Sequence, residues 1–335
     1  MEEKIEVLDI ENNENEKKIK PFSVLESYGE DLTIKTYVAD PAIARDEEIK
    51  RLMIILLTPD KSALLIGKAG IGKTAIVEGL AYKIQHNNVP DVLKGYRVVK
   101  INSTSLLGKV VEDGKEELII SKLVREIKNT SKTILFIDEV HTLIGGSGDG
   151  PMDLANILKP ALDRGDIKAI GATTTEEYNA YVIKDRAFLR RFDKIEVNEP
   201  DRNTTVQILL KSLPRYEAKT GIKFKYNEYT SQLLIESIVD ATSEFKRVYG
   251  LAAMYPDVAF SILSQAFSNA LIDNKKVVDI IDVYNAIRYS KRIYPDSIFK
   301  ELNAFREKFK DFCFQEKVVL PIVEQSELKN SEENY

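Results

Sequence analysis

The stretch Ile66-Gly67-Lys68-Ala69-Gly70-Ile71-Gly72-Lys73-Thr74 decides the fold. Before it, Ser62-Ala63-Leu64-Leu65-Ile66 is a short apolar run suited to a buried parallel strand. After it, Ala75-Ile76-Val77-Glu78-Gly79-Leu80-Ala81-Tyr82 spaces its apolar residues as a helix does. A glycine-rich turn between a strand and a helix is the setting of a phosphate-binding loop. Gly67, Gly70 and Gly72 are expected to take positive φ and turn their N–H groups toward phosphate oxygens, while the helix N-terminus adds a partial positive charge. Lys68, Ala69, Ile71 and Ala75 complete the backbone of that cradle. Lys73 is expected to reach the β- and γ-phosphates, and the Thr74 hydroxyl to hold Mg²⁺.

Outward from this loop, apolar runs alternate with amphipathic ones: Val98–Ile101, Thr133–Ile137, Lys168–Gly171 and Lys194–Val197. Such alternation predicts an α/β fold with a mostly parallel, doubly wound sheet and helices on both faces. Beyond Pro200-Asp201 the strand signals stop. The segments Thr204–Leu213, Tyr229–Ile238, Asp257–Ile272 and Val278–Tyr289 read as helices, so an all-helical unit is expected after the sheet, with Pro214 ending or kinking the first helix. Asp296–Phe314 reads as one further helix. Residues 1–22 read as an acidic, mobile tail, 23–36 as a short helix and linker, and the acidic end from Glu324 as fraying.

Composition narrows the class. The 335 residues carry a net charge of −5, one cysteine and two histidines. Cys313 therefore cannot close an internal disulfide and reads as a small apolar side chain on a helix; His86 and His141 make no zinc cluster. No apolar run is long enough to span a bilayer, and Met1-Glu2-Glu3-Lys4 opens no export signal, so a cytosolic protein is expected. The acidic balance, with no clustered basic and aromatic segment, argues against nucleic acid as a partner.

A second motif completes the site. Ile134-Leu135-Phe136-Ile137 is an apolar strand that delivers Asp138 and Glu139 at its end. Behind a phosphate loop, Asp138 is placed to bind Mg²⁺ directly or through water, and Glu139 to orient and polarise the attacking water. His141 follows immediately and reads as a structural or supporting histidine.

The sequence resembles the first ATPase domain of the Clp-type AAA+ chaperones. Asp40-Pro41-Ala42-Ile43-Ala44-Arg45-Asp46-Glu47-Glu48-Ile49 is similar to that family's DPVIGRDEEI opening. Residues 72–81, 135–143, 156–162, 170–174 and 185–192 are nearly identical to the family's runs, and the resemblance covers roughly residues 24 to 270. It implies a P-loop NTPase of the AAA+ kind: an αβα domain over about 37–200, a small helical lid over 201–292, then a C-terminal helix and tail over 293–335. Its cofactors would be ATP and Mg²⁺. The resemblance further implies that Ala42 and Ile43 flank the adenine and that Thr174 is the sensor-1 residue fixing the lytic water. Arg190 and Arg191 would reach the neighbouring subunit's γ-phosphate. A finger that serves a neighbour requires a homo-oligomer, in this family typically a hexameric ring.

The sequence also departs from the family. The register set by Leu106 and Gly114 puts Val111, Glu112 and Asp113 where family members carry the lysine, tyrosine and arginine of the pore loop. A carboxylate in place of the gripping aromatic offers no flat apolar surface to an arbitrary chain. A glycine of the opening motif is Ala44. Tyr255-Pro256-Asp257, by contrast, matches the family's helix start, and its lack of a sensor-2 arginine agrees with the family's first-type rings. There is no second phosphate-binding motif, so a compact single ring is expected. The leading expectation is an ATPase that remodels a specific protein partner. The alternative is a nucleotide-gated assembly module that threads nothing.

Overall fold

The computed structural model describes residues 23–112, 114–130, 132–144, 155–250 and 254–325. The tail expected over 1–22, Asp113 and the end from residue 326 lie outside the described residues. The first unit runs α1 (Val24–Tyr28), β1 (Gly29–Asp31), α2 (Asp46–Leu57), β2 (Ser62–Ile66), α3 (Lys73–Gln85), β3 (Arg97–Asn102), β4 (Lys109–Glu112) and β5 (Lys115–Leu118). It continues with α4 (Ile119–Asn129), β6 (Thr133–Asp138), α5 (Ala155–Asp163), β7 (Lys168–Thr173), α6 (Thr175–Ala180), α7 (Arg186–Leu189) and β8 (Phe192–Glu196).

Six strands form one sheet in the order β1-β3-β6-β7-β2-β8, parallel throughout except for the β1 edge. Every residue of β2 is buried, as a central parallel strand covered on both faces requires. Alternate residues serve opposite layers. Ala63 and Leu65 join Ile49, Leu52, Ile76 and Leu80 of α2 and α3 on one face, and Leu64 joins Leu123 of α4 and Leu158 of α5 on the other. Residues 23–36 are more than a linker. Val24 and Leu25 are buried in the core, and Gly29–Asp31 pairs antiparallel with β3, so the sheet unit begins before residue 37.

The second unit comprises α8 (Arg202–Thr220), β9 (Lys223–Phe224), α9 (Glu228–Ala241), α10 (Asp257–Ile272), β10 (Val277–Val278), α11 (Ile280–Arg288), α12 (Pro295–Lys308) and α13 (Lys310–Glu316). Its helices share one core through Leu209, Ile238, Leu263, Tyr284 and Phe305, so α12 packs as part of the lid. Residues 318–325 also lie against it: Leu320 and Val323 are buried, and the Tyr284 hydroxyl donates to the Pro321 carbonyl at 2.7 Å. Three expectations are corrected. Of the two outcomes expected at Pro214, an end or a kink, the end does not occur: α8 continues to Thr220 although proline donates no backbone hydrogen bond. The final helix breaks at Phe309. The lid is not purely helical, because β9 and β10 form a two-residue parallel ladder. Among the described residues no helix is long and apolar enough to cross a membrane.

Candidate nucleotide site

Parallel topology places the loops after β2, β6 and β7 at one edge of the sheet, where this architecture gathers its ligand groups. They surround a cavity of about 340 Å³ lined by Ala69–Thr74, Asp138, Glu139, Thr173, Thr174 and Glu177. Two of the loop's glycines behave as expected, Gly70 at φ +74° and Gly72 at φ +100°. Gly67 is needed for a different reason: its φ is not positive, but a Cβ there would lie 2.5 Å from the Val197 carbonyl oxygen. Gly70 is doubly constrained, since a Cβ would also meet the Asp257 side chain of the lid at 2.7 Å.

The Lys73 ammonium donates to the Gly67 carbonyl at 2.7 Å and the Lys68 carbonyl at 3.0 Å, bracing the loop from within. Burial pushes its pKa down, against the opposing pull of Asp138, Glu177 and Glu176. The Thr74 hydroxyl donates to Asp138 Oδ2 at 3.2 Å. This is a pair of hard oxygen ligands, and among the described residues no group of three or more His, Cys, Asp or Glu could hold a metal. A cation here would thus draw on Thr74, Asp138, phosphate oxygens and water, which fits Mg²⁺. Glu139 is exposed at φ +51°, a conformation rare for a residue with a side chain. Its carbonyl accepts from the Thr142 N–H and hydroxyl, both at 3.0 Å, which anchors the turn that presents the carboxylate.

Thr174 caps α6. Its hydroxyl accepts from Glu177 N–H at 3.2 Å while Glu177 Oε2 accepts from Thr174 N–H at 3.0 Å, a reciprocal capping box. His141 Nδ1 lies 3.1 Å from the same Glu177 oxygen and 3.3 Å from the Thr173 hydroxyl. Burial raises the Glu177 pKa, but these hydrogen bonds and the nearby histidine outweigh it and hold the carboxyl below its ordinary value. His141 thus ties the turn after Glu139 to the end of β7. Glu177 went unnoticed in the sequence, although the Thr-x-x-Glu spacing of a capping box was there to read.

A second cavity, about 150 Å³, meets the first at Gly70–Gly72 and includes Ala42, Ile43, Ala75 and the lid residues Ile208, Arg215 and Asp257. Ala42 and Ile43 thus line a cavity that adjoins the phosphate loop. Arg45 holds this corner: only 7% exposed, it donates to the Ile71 carbonyl at 2.9 Å and to the Asn198 carbonyl at 3.1 Å. The helix start at Tyr255-Pro256-Asp257 offers no cation, yet Arg215 reaches the same cavity from α8. Lys68 lines a separate cleft beside Lys194 and Glu199.

The two arginines part company. Arg191 binds within its own chain, to Asp163 and to the Ala187 carbonyl. Arg190 is exposed, and among the described residues no partner holds its guanidinium. The expected pore segment is a hairpin in which β4 pairs antiparallel with β5, Val111 opposite Glu116 and Glu112 opposite Lys115. Val111 is 69% exposed, whereas Val110 packs on the sheet domain's core.

Comparison with known proteins supplies the lineage. Residues 63–199 match the model of the ATPase family associated with various cellular activities (AAA). The chain is 39% identical over 259 residues to a probable ATP-dependent Clp protease ATP-binding subunit of Chlamydia pneumoniae, covering 76% of this chain and 29% of that protein. It is 41% identical over 246 residues to the chaperone protein ClpB of Wolinella succinogenes, covering 72% and 28%. Among solved structures, the closed state of Hsp104 with ATPγS and FITC-casein superposes with a TM-score of 0.69 at 32% identity, over 87% of this chain and 49% of that one. The S. cerevisiae Hsp104-ADP complex gives 0.66 at 32% identity, over 86% and 49%. The chain spans less than a third of the length of these curated relatives. An AAA match over the strand-and-loop core, joined to relatives of one kind across most of the chain, fixes the descent: the chain belongs to the Clp-type AAA+ ATPases.

Proposed function

We propose that the chain binds Mg²⁺-ATP, hydrolyses it, and couples turnover to remodelling of a protein partner, working in the cytoplasm as one subunit of a homo-oligomeric, hexameric ring. The observation that carries this reading is the convergence of Lys73, Thr74, Asp138, Glu139 and Thr174 on one cavity at the ends of three neighbouring strands. Lys73 takes the β- and γ-phosphates once it leaves its own loop carbonyls. Thr74 and Asp138 hold the cation, which would withdraw charge from the phosphates. Glu139 aligns the attacking water, and the Thr174 hydroxyl, which already accepts from its helix, still has a proton to donate toward it. Arg190 supplies positive charge to the γ-phosphate of the adjoining subunit. Because the base cavity is walled by both units, the nucleotide state changes how the lid meets the sheet domain.

Remodelling is favoured over gated assembly by the likeness to ClpB and to Hsp104 recorded with casein. The Glu112 substitution restricts the reading to a partner recognised by means other than an aromatic grip. Glu139→Gln tests the site. It should bind a fluorescent ATP analogue as tightly as the parent while turnover falls at least about a hundredfold, the scale of losing an aligned base. Rapid hydrolysis by that variant would remove Glu139 from its assigned role.

A further inference from the structure

Asp138 has a cation beside it already. Lys100 Nζ lies 3.4 Å from Asp138 Oδ2, the same oxygen that accepts from Thr74. The other carboxylate oxygen, Oδ1, accepts from the Glu139 N–H at 3.2 Å. The approach follows from register. β3 and β6 are parallel neighbours with Lys100 opposite Phe136 and Asn102 opposite Asp138, so Lys100 and Asp138 are diagonal neighbours on one face of the sheet. The Lys100 ammonium also lies over the Phe136 ring, 5.7 Å from its centre, two residues along β6 from Asp138. Both side chains are 30% exposed, so water screens the pair only in part.

We propose that Lys100 is a resident counter-ion for Asp138: it holds the carboxylate when no metal is bound, and it must yield Oδ2 when the metal–nucleotide complex enters. This rests on the reading of Asp138 as the residue that holds the cation. One oxygen cannot serve an ammonium and a hydrated divalent ion equally, and the ion carries twice the charge. Lys100 therefore lowers the site's affinity for the divalent cation and shifts metal-dependent nucleotide binding to higher metal concentration. The nucleotide-free site keeps its shape because its carboxylate is never left without a cation.

Mn²⁺ titration followed by electron paramagnetic resonance, with the full chain saturated by a non-hydrolysable ATP analogue, reads the effect without turnover. Lys100→Met keeps an unbranched apolar side chain of similar length and removes the charge. It should tighten Mn²⁺ about three- to fivefold, the scale of a partly screened ion pair. Lys100→Arg, which retains the charge, should stay near the parent value, and unchanged thermal melts should confirm that both variants fold. Unchanged or weaker Mn²⁺ binding by Lys100→Met overturns the counter-ion role. Asp138→Asn separates the two readings. If it weakens Mn²⁺ while Lys100→Met changes nothing, only the Lys100 role fails; if Asp138→Asn leaves Mn²⁺ affinity intact, the assignment of Asp138 fails with it.

Discussion

Ala44 sits at φ +57°, between the residue that walls the base cavity and the arginine that clamps the phosphate loop. A left-handed backbone brings Cβ against the following carbonyl, a cost of about 1–2 kcal/mol for an L-residue that glycine escapes. Ala44→Gly should therefore raise stability by about 0.5–1 kcal/mol, the relieved strain being partly offset by glycine's freer unfolded chain. Urea unfolding with an unchanged slope and a higher midpoint would show it, and a lower midpoint would mean that the site tolerates its alanine without strain. The sequence marks this position only as a departure from a glycine-bearing motif; the backbone angle gives the departure its physical meaning. Gly67 teaches the converse. Its glycine is legible, but the reason, the Val197 carbonyl just past β8 pressed against it, depends on a contact from far along the chain. Lys100 was equally visible as a lysine inside an apolar run, yet nothing local says which carboxylate it meets.

Single-turn α7 shows what holds a functional element that has almost no helix of its own. Asp185 caps it, accepting from Phe188 N–H at 2.9 Å and pairing with Lys159 Nζ at 2.7 Å. Burial raises the Asp185 pKa, but the bonds from Lys159 and Phe188 outweigh it and hold the carboxyl below its ordinary value. A depressed folded pKa contributes stability that is present above the unfolded value, near 3.8, and lost as pH falls through the folded one. Stability should therefore be indifferent to Asp185 ionisation between pH 7 and 5 and fall more steeply below about 4 in the parent than in Asp185→Asn, which cannot titrate. Urea unfolding of both proteins across that range checks it; identical acid slopes would deny the cap its ion-pair contribution. Elements with a strong period were legible in the same chain: β2, α3, β6 and α10 fall where their apolar spacing puts them. The β1 edge, the β4–β5 hairpin and the β9–β10 ladder were not, because two to four residues carry too little pattern and take their strand character from a partner. Pro214 fails to end its helix for a related reason. One missing hydrogen bond is a local cost, and Leu209 anchors α8 in the lid's core while Tyr216 packs against that core beyond the proline.

At the scale of the whole molecule, one chain supplies the loop, the carboxylates and the base cavity, but it leaves Arg190 facing solvent. Arg191 is spoken for by Asp163 and the Ala187 carbonyl, so the structure divides the pair into a brace and a free charge. Arg191→Ala should then lower the melting temperature, whereas Arg190→Ala should leave it unchanged and lower turnover alone. If Arg190 acts on the neighbouring subunit, two inactive proteins can repair each other: Lys73→Ala subunits keep the finger and lose the site, and Arg190→Ala subunits keep the site and lose the finger. In a randomly mixed ring at equal amounts, half the subunits have an intact site and half of those face an intact finger. Turnover should accordingly recover to about a quarter of the parent value, fall at either extreme of the mixing ratio, and vanish when dilution separates the subunits. The Lys73→Ala and Arg190→Ala proteins must each be assayed alone alongside, since each is expected to be nearly inert. A flat, inactive profile at every ratio would place the finger within its own chain or remove it from catalysis. Turnover by the unmutated protein that survives dilution to monomers would deny the ring.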